Sequence, residues 1–589
     1  MDGRTITRRN AVGNAIADQN ATTFAAKDGS NLVLSLDVNV QEIVERYLTE
    51  AVAANNVENR GCAIVMNVKT GAILAMASKP DFDPNAPLDY SANLAYLQEQ
   101  VAAEPELYTI YLRDENDSKK FKLDENGNKI VDPDPDYTGT YRDILWKNKA
   151  ITELYYPGSV FKVITSAMGL DSGVATMNTT FTCSGAYGVA KQTYHCAGHK
   201  AHGTINMADA LRQSCNLYYI QLGQRVGSQQ FYNYFDAFGF TERTGVDLPS
   251  ETGLMKYYSA NQLGEVQLAS SAFGQAMAIT PLQMCTAVAA AVNGGYLVTP
   301  HVVDKITDQN GNVVEEVGAN VRRQVISESA SETIRQIMEY EVGDGTTTGG
   351  GSNAYVAGYR IGGKSGTAER TDRHLRGDGD YYKMMSFAAV LPIDDPEIEV
   401  FVLLDDPRWV KDYASQVVAP VVGNIISEIA PYLGIEQDAD YNPTGTVTVQ
   451  TCLDYTWTNA QVTLNRLGLK HKLIGPSSGN IVYQYPVGGS VVPAGSTIYL
   501  YTATDQNSMT TTPDVVGKTG TFAEQMLKAA NLNVQFAGDS SGKVVAQDVE
   551  AGTSAAYGTI ITLTMDSGED TTNDAPTVTE EIDPANEEG

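Results

Sequence analysis

Ser159 and Lys162 stand three positions apart in LYYPGSVFKVITSAMGL, residues 154–170, and this spacing suits nucleophilic catalysis. Pro157 and Gly158 predict a turn before the serine, and the apolar run after it has helical length. Residues i and i+3 of a helix share a face, so the lysine amine can lie beside the serine hydroxyl. Free backbone N–H groups at a helix N-terminus also stabilise developing negative charge. The pair predicts an activated serine, with an ordinary capping serine as the alternative.

Two further stretches have polar groups that could complete such a site. Ser214, Cys215 and Asn216 lie between two predicted helical segments in MADALRQSCNLYYIQLGQRVG, residues 207–227. In VAGYRIGGKSGTAER, residues 356–370, a predicted strand over Tyr359-Arg360-Ile361 runs into two glycines, and glycines let a substrate backbone approach a strand edge. The residues that follow along this edge are Lys364, Ser365, Gly366 and Thr367.

A second Lys-Thr-Gly, at residues 518–520, is explained by an internal repeat. When the last quarter of the chain is shifted by 63 residues against itself, residues 456–469 align with residues 519–532. Each unit predicts one amphipathic helix followed by alternating strands. In this register Lys518 aligns with Tyr455, so the repeat does not require a lysine. We interpret this Lys-Thr-Gly as the turn that leads into a repeat helix.

Composition and charge restrict the remaining possibilities. The chain has 589 residues, which predicts several domains. Its formal net charge of −30 makes nucleic acid an unsuitable partner, because phosphate binding requires clustered Lys and Arg. We expect no nucleic-acid partner. No apolar run reaches the roughly 18 residues of a transmembrane helix, and the N-terminus lacks the apolar region of a signal peptide.

The six cysteines are too few and too scattered for a disulfide scaffold. Cys183 and Cys196 form one close pair, with three histidines beside them. Because the Cys-x12-Cys spacing matches no zinc-finger pattern, a disulfide or two free thiols are favoured over a metal, and no metal or cofactor is expected. The pair is predicted to be redox-sensitive and to lie at the surface. Cys215 is interpreted as a small packing residue and not as a second nucleophile.

In their order along the chain, the three motifs resemble those of class B penicillin-binding proteins, which are peptidoglycan D,D-transpeptidases. Residues 31–48, 61–85, 238–251 and 272–284 are also similar to this family. The 63-residue repeats resemble PASTA domains, which follow the catalytic domain in division and sporulation members from Gram-positive bacteria. The resemblance implies an α+β fold. It consists of a penicilloyl-serine transferase (β-lactamase/transpeptidase-like) domain with a central antiparallel sheet flanked by helices, followed by two small α/β repeats.

The resemblance also implies a division of the chain into five parts. These are a remnant of an N-terminal pedestal domain over 1–30, a transpeptidase domain over 31–438, PASTA repeats over 441–505 and 506–568, and an acidic disordered tail over 569–589. Family members begin with a transmembrane helix, so we expect such an anchor upstream of this chain. The implied location is the extracytoplasmic face of the membrane and cell wall of a Gram-positive-type bacterium.

For catalysis, the resemblance assigns a role to each reactive residue. Ser159 is expected to form an acyl-enzyme with the penultimate D-alanine of a stem peptide, releasing the last D-alanine. Lys162 is the expected general base, and Ser214 relays the proton. A lysine acts as a base only if its pKa falls, and the ammonium of Lys364 would lower it.

For substrate binding, the resemblance implies five residues: Asn216, Lys364, Ser365, Gly366 and Thr367. Asn216 would hold the substrate amide and Lys364 would supply positive potential. Ser365 and Thr367 would bind the terminal carboxylate. The backbone N–H groups of Ser159 and Thr367 would form the oxyanion hole.

Two other functions fit the same scaffold. One is a hydrolase, either a β-lactamase or a D,D-carboxypeptidase, but the sequence lacks a Glu motif placed to activate water, and the repeats suit a wall-bound synthase better. The other is a non-catalytic β-lactam sensor. The expected partners are stem peptides ending in D-Ala-D-Ala, β-lactams, a membrane-embedded glycosyltransferase, and division or sporulation proteins.

Overall fold

The computed structural model describes the backbone of residues 4–6 and 22–24 and, in full, residues 29–103, 105–115, 117, 119–344, 350–370, 381–408, 413–438, 445–503 and 508–566. The chain divides into two compact units, Met1–Tyr441 and Asn442–Gly589. The α-helices are α1 Val38–Ala54, α2 Leu94–Ala103, α3 Pro105–Tyr108, α4 Thr138–Leu145, α5 Lys149–Thr152, α6 Lys162–Asp171, α7 Met207–Arg212, α8 Asn216–Val226, α9 Ser228–Ala237, α10 Glu265–Ser271, α11 Pro281–Val292, α12 Glu328–Val342, α13 Ala414–Val417, α14 Ala419–Tyr432, α15 Trp457–Arg466 and α16 Gly520–Ala529.

The strands fall into several sheets, of which the largest has five strands. The strands are β1 Arg4–Ile6, β2 Thr22–Phe24, β3 Asn31–Leu34, β4 Val57–Asn67, β5 Ile73–Lys79, β6 Phe181–Cys183, β7 Ala186–Val189, β8 Gln192–His195, β9 Gly203–Ile205, β10 Tyr296–Val298, β11 Val303–Thr307, β12 Val313–Glu316, β13 Val321–Gln324, β14 Gly362–Glu369, β15 Lys383–Leu391, β16 Ile398–Pro407, β17 Thr446–Thr448, β18 Lys470–Ile474, β19 Tyr483–Tyr485, β20 Val491–Pro493, β21 Thr497–Tyr501, β22 Met509–Thr511, β23 Asn533–Ala537, β24 Val544–Gln547, β25 Ser554–Ala556 and β26 Ile560–Met565.

The central sheet of the first unit is antiparallel, with the strand order β14-β15-β16-β4-β5. Successive side chains of a strand point to opposite faces. Along β4, Ile64 and Met66 accordingly join the core that contains α6, α8 and α11. Ala63 and Val65 join the core that contains α1 and α14. Because helices cover both faces, every residue of β16 is buried. The expected antiparallel sheet flanked by helices is confirmed.

Helix α6 lies inside the first core. Its residues from Lys162 to Gly169 are all buried. Just before it, the ring of Phe161 packs against the rings of Phe231, Phe235 and Phe240, with centroids 5.5 to 6.1 Å apart. Burial of one such ring contributes about 3 kcal/mol to stability. The helix that follows Ser159 is therefore buried, as its continuous apolar character predicted.

The second unit contains the two repeats, and their topologies match. In the first, α15 accompanies the pair β17-β20 and the sheet β18-β21-β19; in the second, α16 accompanies the pair β22-β25 and the sheet β23-β26-β24. Each repeat has its own buried apolar cluster. Thr519 is the N-cap of α16. The second Lys-Thr-Gly therefore forms the turn into a repeat helix, as expected.

Among the residues that the structure describes, no helix combines the length and the apolar character needed to cross a bilayer.

Candidate active site

Ser159 lies in a short 3-10 turn, Gly158–Phe161, that leads directly into α6. The backbone N–H of Lys162 donates to the Ser159 carbonyl. Side chains at i and i+3 of a 3-10 turn lie almost above one another. Ser159 is half-buried, whereas the next two residues, Val160 and Phe161, are fully buried. The turn thus presents one hydroxyl at the surface of a packed core.

The backbone on either side of this turn approaches its neighbours closely. The N–H of Gly158 donates to the Gly274 carbonyl at 3.0 Å. Gly274 has a φ of +86°, and a Cβ there would lie 2.0 Å from the Gly158 oxygen. A Cβ on Gly158 would lie 2.9 Å from the Thr367 oxygen. No motif in the sequence points to Gly274, although this residue falls in a stretch that resembles the family.

Gly274→Ala should slow acylation of Ser159 about 100-fold, because displacing reacting groups by about 1 Å costs this much. The new Cβ must push the Gly158 carbonyl away and move the turn. Gly227→Ala is the matched control, since Gly227 also has a positive φ, +82°, but nothing lies within 4 Å of its would-be Cβ. Time courses of labelling with fluorescent penicillin measure both rates. Equal rates for the two variants would contradict the steric argument.

The Lys162 amine joins the first motif to the second. It is completely buried and donates to the Ser214 carbonyl at 2.7 Å, the Ser214 hydroxyl at 3.1 Å and Asn216 Oδ1 at 2.8 Å. An ammonium has three protons to donate, and these three bonds use all of them. A neutral amine has only two protons, so its lone pair can accept a proton from a hydroxyl. Only the uncharged amine of Lys162 can therefore accept a proton in this arrangement.

Burial lowers the pKa of Lys162, and the neighbouring ammonium of Lys364 lowers it further, to about 7. The second ammonium is the cause that the sequence analysis expected, but burial is the larger one. At neutral pH, a substantial fraction of a lysine with this pKa is uncharged. Lys162 can thus act as a base without a dedicated partner carboxylate.

The second motif is strained and tightly held. Ser214, between α7 and α8, has a φ of +49°, which is uncommon for a residue with a side chain. Such conformations cost about 1–3 kcal/mol and persist where surrounding contacts enforce them. Asn216, the first residue of α8, accepts from Lys162 and donates through Nδ2 to the His195 carbonyl at 3.1 Å. Its amide is therefore fixed from both sides.

The third motif lies on β14, the edge strand beside the Ser159 turn. The strand begins at Gly362 and not at Tyr359-Arg360-Ile361, as the sequence had suggested, because its pairing with β15 starts at Gly362 opposite Val390. Gly366 allows the close approach, since a Cβ there would lie 2.6 Å from the Pro157 oxygen.

The polar side chains of β14 differ in exposure. Ser365 and Thr367 are half-buried on the strand. Thr367 Oγ1 accepts from the Ala414 N–H at 3.0 Å, which fixes the hydroxyl oxygen against the start of α13. Lys364, in contrast, is completely buried. The structure thus brings all three predicted motifs to one place.

Glu341 is a buried charge that the sequence analysis missed. Its Oε1 accepts from Lys364 Nζ at 3.0 Å and from the Ser365 N–H at 3.4 Å, and both charged side chains are completely buried. Burial raises the pKa of Glu341 to about 6, while Lys364 opposes the rise. The positive potential expected from Lys364 is therefore partly offset. The sequence does indicate that Glu341 is buried, because this residue follows Ile334 and Ile337 on the apolar stripe of α12.

Cys183 and Cys196 are not at the surface, where they were expected. They are 1% and 2% exposed, and their sulfurs lie 3.6 Å apart as free thiols. A disulfide would bring the sulfurs to about 2.05 Å. They are also not an isolated pair, since the sulfur of Cys215 lies 3.6 Å from that of Cys196, and Nδ1 of His202 lies 3.4 Å from the sulfur of Cys183.

Comparison with known families agrees with this geometry. Residues 61–427 match the family model of the penicillin binding protein transpeptidase domain, and residues 447–504 and 510–567 match the PASTA domain. Stage V sporulation protein D of Bacillus subtilis is 32% identical over 83% of this chain and 68% of that protein. Peptidoglycan D,D-transpeptidase FtsI of Escherichia coli is 26% identical over 74% of this chain and 62% of that protein.

A solved structure shares the fold. Penicillin binding protein 3 of Mycobacterium tuberculosis, crystallised with ampicillin, superposes with a TM-score of 0.55 at 24% identity, over 73% of this chain and 83% of that one. Because the transpeptidase family model matches more than half of its length, the chain belongs to the penicillin-binding protein transpeptidase family. It carries two PASTA domains after its transpeptidase domain.

Proposed function

We propose that Ser159 is the nucleophile of this peptidoglycan D,D-transpeptidase and that Lys162 is its general base. The observation that carries the proposal is the buried Lys162 amine, held by Ser214 and Asn216 one short turn away from the half-buried serine. The lowered pKa of Lys162 supports the same assignment.

The reaction then proceeds in two transfers. The Ser159 hydroxyl attacks the carbonyl of the penultimate D-alanine while its proton passes to Lys162, directly or through Ser214. The C–N bond breaks, and the terminal D-alanine leaves with that proton on its amine. The amine of a second stem peptide next attacks the ester and loses a proton to Lys162. Lys162 passes this proton to the departing Ser159 oxygen, so the C–O bond breaks and both groups return to their starting states. Atoms and charges balance without a cofactor.

Substrate would lie along β14. We assign Asn216 to the substrate amide, and Ser365, Gly366 and Thr367 to the strand edge that receives the terminal carboxylate. The N–H groups of Ser159 and Thr367 would stabilise the oxyanion. The close approach of Gly158 to Thr367 supports this pairing, because it sets the two backbone segments side by side. Lys364 would contribute positive potential at this site, to the extent that the negative charge of Glu341 does not cancel it.

Stem peptides are the substrates of this family and β-lactams acylate it, and the enzyme works outside the cytoplasm. We extend this to a membrane-embedded glycosyltransferase and division or sporulation proteins as partners, and to an upstream membrane anchor in a Gram-positive-type cell. We also propose domain limits of 31–438, 441–505 and 506–568. The separation of the chain between Tyr441 and Asn442 supports the first of these limits.

An exchange assay tests the proposed function. The protein is incubated with a thiolester analogue of D-alanyl substrate and an acceptor D-amino acid, and the products are separated. Formation of the exchanged product is the expected result. Free acid alone would mean a hydrolase, and an acyl-enzyme that does not turn over would mean a β-lactam sensor. Either outcome would overturn the assignment.

The acylation rate should rise with pH and level off above about 7, the pKa of Lys162. The uncharged amine is the active form, so well below this pKa the rate should fall about tenfold for each pH unit. Penicillin labelling rates from pH 5 to pH 9 measure the profile. A rate that still rises tenfold for each pH unit between pH 8 and pH 9 would rule out Lys162 as the base.

A further inference from the structure

Four side chains with metal-binding chemistry converge beside the Ser-x-Asn motif. Cys183 ends β6, Cys196 follows β8, His202 precedes β9, and Cys215 is the N-cap of α8. The three sulfurs are buried and the histidine is half-buried. The sequence spacing does not reveal this cluster, because the pattern Cys-x12-Cys-x5-His-x12-Cys matches no zinc-finger spacing.

The distances within the cluster match a tetrahedron around one ion. The potential ligand atoms of all four residues lie within 4.8 Å of one another. Zinc–sulfur bonds of about 2.3 Å and zinc–nitrogen bonds of about 2.0 Å give tetrahedral edges of roughly 3.5–3.8 Å. The three short edges are 3.6 Å from Cys183 to Cys196, 3.6 Å from Cys196 to Cys215, and 3.4 Å from Cys183 to His202.

We infer that Cys183, Cys196, His202 and Cys215 form a closed Zn²⁺ site. Thiolate and imidazole ligands select zinc over calcium or magnesium, which prefer oxygen. Four protein ligands leave no open position for water, so the site is structural. On binding, the three thiols lose their protons to solvent and their sulfurs bond to the metal.

The surroundings favour thiolates at this place. The N–H of Tyr218 donates to the Cys215 sulfur at 3.4 Å. This N–H belongs to the first turn of α8, whose dipole stabilises negative charge. Hydrogen bonds to the ligand atoms of this kind orient ligands in metal sites.

The metal would position the catalytic base. Cys215 stands between Ser214 and Asn216, and both of these neighbours hold the Lys162 amine. Asn216 also donates to the carbonyl of His195, the residue before Cys196. A metal bound by both Cys215 and Cys196 would therefore add a second link between the Ser-x-Asn loop and the segment of His195 and Cys196, beside the Asn216–His195 hydrogen bond. Both links would hold the strained Ser214 in place.

Metal analysis of the purified chain tests the site. Elemental mass spectrometry should find one zinc per chain in the unaltered protein. The zinc content of His202→Ala should be less than a tenth of this value. His199→Ala is the matched control, because His199 is exposed, lies close by in the sequence and is not in the cluster. Should His202→Ala fail to fold, Co²⁺ added to the chelator-treated unaltered chain should give the thiolate charge-transfer and visible bands of tetrahedral cobalt.

Two results would overturn the inference. One is a chain without stoichiometric zinc that also gives no tetrahedral cobalt spectrum. The other is an intact mass two daltons lower under non-reducing conditions, which would mean a disulfide within the cluster.

The positioning role has a separate readout. His202→Ala should slow acylation about tenfold, and His202→Cys should restore both zinc and rate, since a Cys₄ site also binds zinc tetrahedrally. Unchanged acylation in a zinc-free His202→Ala would refute the positioning role. Ser159→Ala should keep its full zinc content, so failure of the metal site and failure of the proposed catalysis are distinguishable.

Discussion

Ser159→Ala should abolish labelling of the chain by fluorescent penicillin, with a loss in acylation rate of about 10⁴-fold or more, because no other group replaces a missing nucleophile. The change removes one half-buried hydroxyl, so the fold should remain. Gel fluorescence and intact mass measure the adduct, and peptide mapping of the unaltered chain should place it within residues 154–170.

Ser172→Ala is the control for this experiment. Ser172 is the C-cap of α6, on the same helix but at its far end, and its hydroxyl donates to the Met168 carbonyl. It should acylate at the rate of the unaltered chain. A penicillin adduct that persists in folded Ser159→Ala would show that the nucleophile is a different residue.

Lys162→Met should reduce the acylation rate by about 10³-fold, within the range measured for the loss of a positioned general base. Methionine has a similar length and suits a buried position, but it cannot accept a proton. Ser214 and Asn216 lose a donor, which costs about 1–3 kcal/mol of stability. Removal of a buried charge offsets part of this cost. Labelling rates and chemical denaturation measure the two effects.

The pH profile separates a lost base from a distorted site. In Lys162→Met the rise in rate through pH 7 should disappear, because the titrating group is gone. Lys518→Met is the matched control, since Lys518 belongs to the other Lys-Thr-Gly and is exposed. It should leave rate and profile unchanged. An unaltered profile in Lys162→Met would assign the titration to another group.

Local patterns in the sequence determined the parts of this protein that depend on near neighbours. The three-residue spacing of Ser159 and Lys162 predicted their shared face, and the continuous apolar run after them predicted a buried helix. The 63-residue repeat predicted two units of equal topology and explained the second Lys-Thr-Gly. Periodicity and turn residues act over a few positions, so these features are readable before folding.

Tertiary structure alone decided which distant groups meet. Glu341 and Lys364 form an ion pair across two elements, and Gly274 approaches the Ser159 turn from over 100 residues away. Cys215 joins Cys183, Cys196 and His202 only because α8 packs against β6 and β8. Periodicity shows which face of an element is buried, but not what packs against it. The charges and contacts that set the pKa of Lys162 come from that packing.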